Sequence, residues 1–256
     1  MKPLDIKTIK ENISNSIKTI SNMFDSLLSK DTNKDTKRAS LISYWLKDYS
    51  NYITSEDSFD PKSLLRYKRG SVVQVEFGYR VGRELGGRHY AVVIDVKNDF
   101  GSGTITVVPL SSLKETSTSK RYSFLLKKGL YELYTDNIRT KQNNLRIQIN
   151  KLREFQDITE KEYISGNIGL KEFEKRISTI KKNHNELDVQ IAILNRDINK
   201  LNKLKLGTIV NVDQVITISK MRISNPKTST DSLSGIRLSK NDLDTLNEKL
   251  KELYIY

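Results

Sequence analysis

The sequence predicts an α+β fold: a small, strongly bent antiparallel sheet or barrel, interrupted by an antiparallel coiled-coil hairpin and flanked by helices at both ends. Three observations carry this. Short β-rich runs fill residues 71–128, a heptad-like pattern occupies the stretch after Ile138, and β texture returns in LGTIVNVDQVITIS before a final amphipathic segment.

In chain order, apolar residues recur at Ile6, Ile9, Ile13, Ile17, Ile20, Phe24 and Leu27, the one-face spacing of a helix over roughly 5–29. The polar run KDTNKDTK breaks it, and Ala39 to Ile53 reads as a second amphipathic helix, closed by Asp60-Pro61. The runs SVVQVEF, HYAVVIDV, TITVVPL and RYSFLL are then strands separated by glycine-bearing or polar loops. Phe173, Ile177, Ile180, His184, Leu187, Ile191, Leu194, Ile198 and Leu201 alternate steps of four and three, with Ile138, Leu145, Ile149 and Leu152 as a weaker partner seam. The turn SGNIG joins these two arms, and His184 falls on the seam as a polar register residue. Ser239 with Asp242 three residues on announces a last helix bearing Leu243, Leu246, Leu250 and Leu253. Strands on both sides of a helical hairpin imply one interrupted barrel, because two separate β domains would each have too few strands to stand alone. The expected division is a helical region 1–66, the first part of the barrel 67–134, the inserted hairpin 135–203, and the rest of the barrel with its helix 204–256.

The chain has 256 residues, 36% of them hydrophobic, enough for a sizeable core and unlike a disordered protein. Cysteine is absent, which excludes disulfides and thiolate metal sites. No stretch approaches the roughly 20 apolar residues of a membrane span, and the opening MKPLDIKTIKENIS lacks the apolar run of a secretory signal, so the expectation is a cytoplasmic protein without a membrane partner. The net charge is +13, and residues 67–134 are the most basic part for their length, with 11 Lys+Arg against 6 Asp+Glu. That balance suits a polyanion such as nucleic acid; the alternative is a Lys-rich solvated surface.

The segment RYKRGSVVQVEFGYRVGRELGGRHYAVVI resembles the opening of MazF/PemK toxins, with a basic residue and Gly before the first strand, a Gly-x-Glu-x-Gly-Gly loop, and a strand ending Val-Val-Ile. TITVVPLSS is similar to the family's central strand, and GTIVNVDQVITISKMRI to its late strand pair, in family order and covering about 70–134 and 207–255. The resemblance implies an SH3-like barrel, a homodimer, a cognate antitoxin as partner, and cleavage of single-stranded RNA without cofactor or metal. It places the family's catalytic Arg position on His89, with Arg88 before it and Tyr90 where Pro is usual, and the catalytic hydroxyl on Ser111, where Thr is usual.

RNA cleaves itself when its 2′-OH is deprotonated and attacks the adjacent phosphorus, so a protein needs to move protons and stabilise charge at the phosphate. An imidazole, with an unperturbed pKa of about 6.5, suits proton transfer better than an always-charged guanidinium. His89 is therefore expected to handle a proton, Arg88 to stabilise the phosphorane, and Ser111 to bond a non-bridging oxygen; the plain alternative for His89 is a satisfied strand residue. Arg80 and Arg83 can steer phosphates, or be solvated loop charges. Tyr79 and Tyr90 can stack on bases, or pack in the core. Lys220 and Arg222, by the resemblance, line the same RNA groove. Glu84 reads as a loop anchor, and Gly86 and Gly87 as turn glycines. The rival functions are a non-catalytic nucleic-acid-binding barrel and a toxin of the same fold that inhibits a protein target.

Overall fold

The computed structural model describes residues 5–113 and 122–255, which form two compact units. Among the described residues no helix is long and apolar enough to cross a membrane.

The first unit comprises the residues up to Phe59 together with the loop Phe77–Gly87. Helix α1 spans Ile6–Leu28 and α2 spans Asn33–Ser55, so the second helix begins earlier than its apolar pattern suggests. The reason is a cap: the Thr32 hydroxyl accepts from the Asp35 N–H at 3.1 Å, converting the polar run into the first turns of a helix. Leu27, Ala39 and Ile42 form a small core with Phe24, Leu46 and Tyr79.

The second unit comprises Asp60–Glu76 and the residues from Arg88 onward. Its strands are β1 Val72–Glu76, β2 Arg88–Val93, β3 Thr104–Ser112, β4 Ser123–Leu125, β5 Thr208–Asn211, β6 Ile216–Ser219 and β7 Ile223–Asn225. The RYSFLL run begins at Arg121, which lies outside the described residues. All ladders are antiparallel, in the order β4-β5-β3-β2-β1-β7, with β6 also on β3. The sheet is open, with β4 and β7 at its ends and no ladder between them among the described residues. Strand pairing among the described residues does not establish closure into the expected barrel; β5, β6 and β7, which follow the hairpin, pair with strands that precede it.

Helices α3 (Leu130–Ile164) and α4 (Leu170–Leu201) are the arms of the hairpin, joined at Ser165–Gly169. Ile138, Leu145 and Leu152 on one arm and Ile180, Leu187 and Leu194 on the other are buried at seven-residue intervals, the period of a coiled-coil seam. Polar pairs fall at multiples of the same interval. Lys141 meets Asp197 at 2.8 Å, Gln148 meets Gln190 at 3.3 Å, and Glu162 meets Arg176 at 2.6 Å, fixing the antiparallel register. One expectation fails here. His184 is exposed, and its neighbour Asn183 is the one turned partly inward. The sheet and hairpin share one core, in which Val72, Val92, Val108 and Val210 meet Leu130, Tyr134 and Leu246 of the helices. Burial raises the Tyr134 hydroxyl to about 12. Helix α5 (Lys240–Tyr254) starts as its sequence indicates, with the Ser239 hydroxyl accepting from the Asp242 N–H at 3.1 Å.

Candidate active site

Six of the twelve expected residues lie in the loop of the first unit. Its neck is pinned by two backbone bonds, Phe77 N–H to the Gly87 carbonyl at 2.9 Å and Gly87 N–H to the Gly78 carbonyl at 2.7 Å. Gly86 is required by close approach, since a Cβ there would sit 2.7 Å from the Gly78 oxygen, and Gly87 has φ +83°. Arg80 is held locally, its Nε donating to the Phe77 carbonyl at 3.3 Å and its Nη1 3.5 Å from Glu84. Glu84 thus contacts Arg80 within the loop.

Tyr79 is engaged elsewhere than on a base. Its hydroxyl accepts from Arg38 Nε at 2.8 Å, and its ring packs on the Leu27, Ala39 and Ile42 core. Trp45 also rests on this loop, so close to Gly78 that a Cβ there would fall 2.4 Å from the indole. Arg83 is exposed, without a side-chain partner among the described residues.

The other six expected residues belong to the second unit. Arg88 and His89 open β2, where Glu76 faces Arg88 and Val75 faces His89 across β1. The Arg88 Nε is 3.1 Å from Glu76, an ion pair at a side chain 61% exposed, which contributes little stability. The backbone carbonyl of Glu76 accepts from Arg222 Nε at 2.9 Å, which brings Arg222 to this end of the sheet. His89 is half-buried, and its imidazole has no hydrogen-bond partner among the described residues.

On the other side of β2 the last paired rung with β3 is Ala91 against Pro109. His89 and Ser111 each lie two residues beyond that rung, in the same direction. Because side chains alternate along a strand and opposed residues share a face, both belong to the face of Ala91 and Pro109. The Ser111 hydroxyl accepts from Asn211 Nδ2 at 3.1 Å, and Asn211, nearly buried, also donates to the Pro109 carbonyl at 3.3 Å. With its oxygen so held, the serine retains its proton for an acceptor. Asn211 is the residue that sequence reading misses; the available signal is an asparagine within a strand, where that residue is depleted.

Two residues are not brought to this end. Tyr90 points to the opposite face, where it packs on the main core and burial raises its hydroxyl pKa, so it is a packing residue. Lys220 follows β6, whose Ser219 faces Thr104 at the start of β3, whereas Ser111 lies near the end of that strand. Its side chain is 2% exposed, its ammonium donates to the Asp99 carbonyl at 3.1 Å, and burial lowers its pKa against the opposing pull of Asp95 and Asp99. Lys220 therefore holds the Asp95–Asp99 turn and does not line a groove beside His89.

A search of curated proteins finds no significant match. Residues 68–160 match the family model described as "PemK-like, MazF-like toxin of type II toxin-antitoxin system", a stretch that runs from before β1 through β4 and into α3 and includes Arg88, His89 and Ser111. The later strands with Asn211 and Arg222 lie beyond it. Residues 68–160 are thus similar to the PemK-like, MazF-like toxins of type II toxin-antitoxin systems.

Proposed function

We propose that the protein is a toxin that cleaves single-stranded RNA as a metal-independent endoribonuclease, forming a homodimer and controlled by a cognate antitoxin, and that its strands wrap as an SH3-like barrel. The observation that carries this is the placement of His89 and Ser111 on one sheet face beyond the Ala91–Pro109 rung, with Arg88 adjacent and Arg222 tied to the same end.

His89 accepts the 2′-OH proton as that oxygen attacks phosphorus. The bond to the 5′-oxygen breaks, that oxygen takes a proton from solvent water and leaves as a hydroxyl, the His89 proton passes back to the resulting hydroxide, and a 2′,3′-cyclic phosphate remains. Arg88, engaged only through Nε, has its terminal N–H groups for the charge that builds on the phosphorane, and Ser111 donates to a non-bridging oxygen. Arg83, exposed and unpaired, steers phosphates. The half-buried, unbonded imidazole supports this reading over a satisfied strand histidine.

The test is cleavage of a mixed-sequence RNA by the full chain in EDTA, with the product ends mapped. Discrete cuts with cyclic-phosphate ends, reduced about 100-fold or more by His89→Ala, are expected for loss of a proton-transfer group. RNA shifted but intact would identify a non-catalytic binding module instead. RNA left whole, with the protein bound to a protein target, would identify the other rival.

A further inference from the structure

The end of β2 opposite His89 carries a feature that the cleavage reading does not use. A cavity of about 490 Å3 is lined by Arg66, Lys68 and Arg69 from the segment before β1, by Lys97 from the turn after β2, and by Arg237 from the segment before α5. Three separate parts of the chain thus converge five cations on one concavity. Its acidic members, Asp95 and Asp99, offset two of them and leave an excess of three cations. The Asp95 carboxylate is committed to the turn, accepting from Thr106 N–H and from Asn98 Nδ2, both at 3.0 Å. Asp99 presents its carbonyl to the buried Lys220, so a further ammonium supports the turn from within.

The rim is also set in place. Arg69 bonds the Ile94 carbonyl and the Asn247 side chain, and Arg237 donates to the Arg69 carbonyl at 2.6 Å. Arg66, Lys68 and Lys97 are exposed and have no side-chain partner among the described residues. Cations that converge unpaired in a concavity are matched by an anion with several oxygens, and guanidinium groups suit phosphate in particular. His89 and Asp95 are six residues apart, roughly 20 Å along an extended strand, so a ligand that reaches both ends has to be long.

We propose that this cavity is a second phosphate-binding site, which grips the backbone of the RNA strand at a distance from the bond that is cut. The identity of the polyanion as RNA rests on the ribonuclease reading. The site adds affinity without sequence preference, because it meets phosphate and no base edge.

The test uses the full chain and a mixed-sequence 2′-O-methyl RNA, which binds but cannot be cut because its attacking hydroxyl is blocked. Affinity is measured across salt concentrations for the wild type, for Lys68→Ala/Lys97→Ala and for His89→Ala. Each lost phosphate contact removes about 0.7 from the salt slope on single strands, so the double variant is expected to lower the slope by about 1.4 and to bind about tenfold or more weakly near 0.1 M salt, with the charge-keeping Lys97→Arg close to wild type. An unchanged slope and affinity in the double variant overturns the proposal. So does loss of binding to poly-glutamate with RNA binding unchanged, which would assign the cavity to an acidic protein segment. His89→Ala separates the two readings: if wild type and His89→Ala both fail to cut ordinary RNA while the double variant still flattens the salt slope, the ribonuclease reading fails and the phosphate site stands.

Discussion

The two helical pairs carry similar apolar periodicities and treat them in opposite ways. In the hairpin, Leu145, Leu152, Leu187 and Leu194 are all buried. Along α1 the residues of equivalent spacing are open, with Ile6 at 70%, Ile13 at 53% and Ile17 at 63% exposure, and only the end of that stripe, at Leu27, is covered. A periodic stripe states that a helix has an apolar face; burial further requires a partner of matching length and register. The α3 and α4 arms supply that for each other through polar pairs that recur with the seam. Helix α2 covers α1 only near Leu27, where Ala39 and Ile42 meet it.

Substitutions sharpen this contrast. Leu187→Ala removes a buried seam residue and is expected to cost about 3 kcal/mol, read as a lower midpoint in urea unfolding of the full chain. Next is Lys141→Ala, which among the described residues leaves the fully buried Asp197 carboxylate with only Arg196, 3.6 Å away. We expect about 2 kcal/mol, below the usual cost of breaking a buried pair because Lys141 is itself partly exposed. Ile13→Ala on the open α1 stripe is expected to change stability by no more than about 0.5 kcal/mol in the same assay. A loss there as large as that at Leu187 would mean that the stripe is covered in solution, and the contrast would fall.

The same contrast explains what could be read in advance. The hairpin, the terminal cap at Ser239 and the strand runs are local patterns, visible in a few consecutive residues. The early start of α2 was also written locally, in Thr32 and Asp35, but it is masked by the absence of apolar residues between them. His184 was misplaced because apolar spacing does not register the facing arm, whose Lys141 and Gln148 contact Asp197 and Gln190.

In the candidate site, the positions of Arg88, His89 and Ser111 at the ends of two strands were legible because HYAVVIDV and TITVVPL read as strands. Tyr79, Tyr90 and Lys220 were not. Each is claimed by a distant group: Arg38, 41 residues away; the core that includes Tyr134; and Asp99, 121 residues away. A side chain's chemistry is readable from sequence, but its partner at that range is not.

The hairpin has a further consequence for how the sheet is completed. Thr208 accepts from the first N–H of α3 at 2.8 Å, and β4 lies beside β5, so the hairpin's two ends are drawn together where it joins the sheet. A long excursion closed in this way approaches its own start through local helix contacts, which lowers the entropy lost in joining strands so far apart in the chain. Vectorial synthesis still imposes an order. Asn211, the anchor of Ser111, is encoded 100 residues after it, an interval of about 5–20 s at ordinary elongation rates. A ribosome making this chain therefore finishes the hairpin before the Ser111 anchor exists, and the half-made product is an incomplete sheet for the whole of that time.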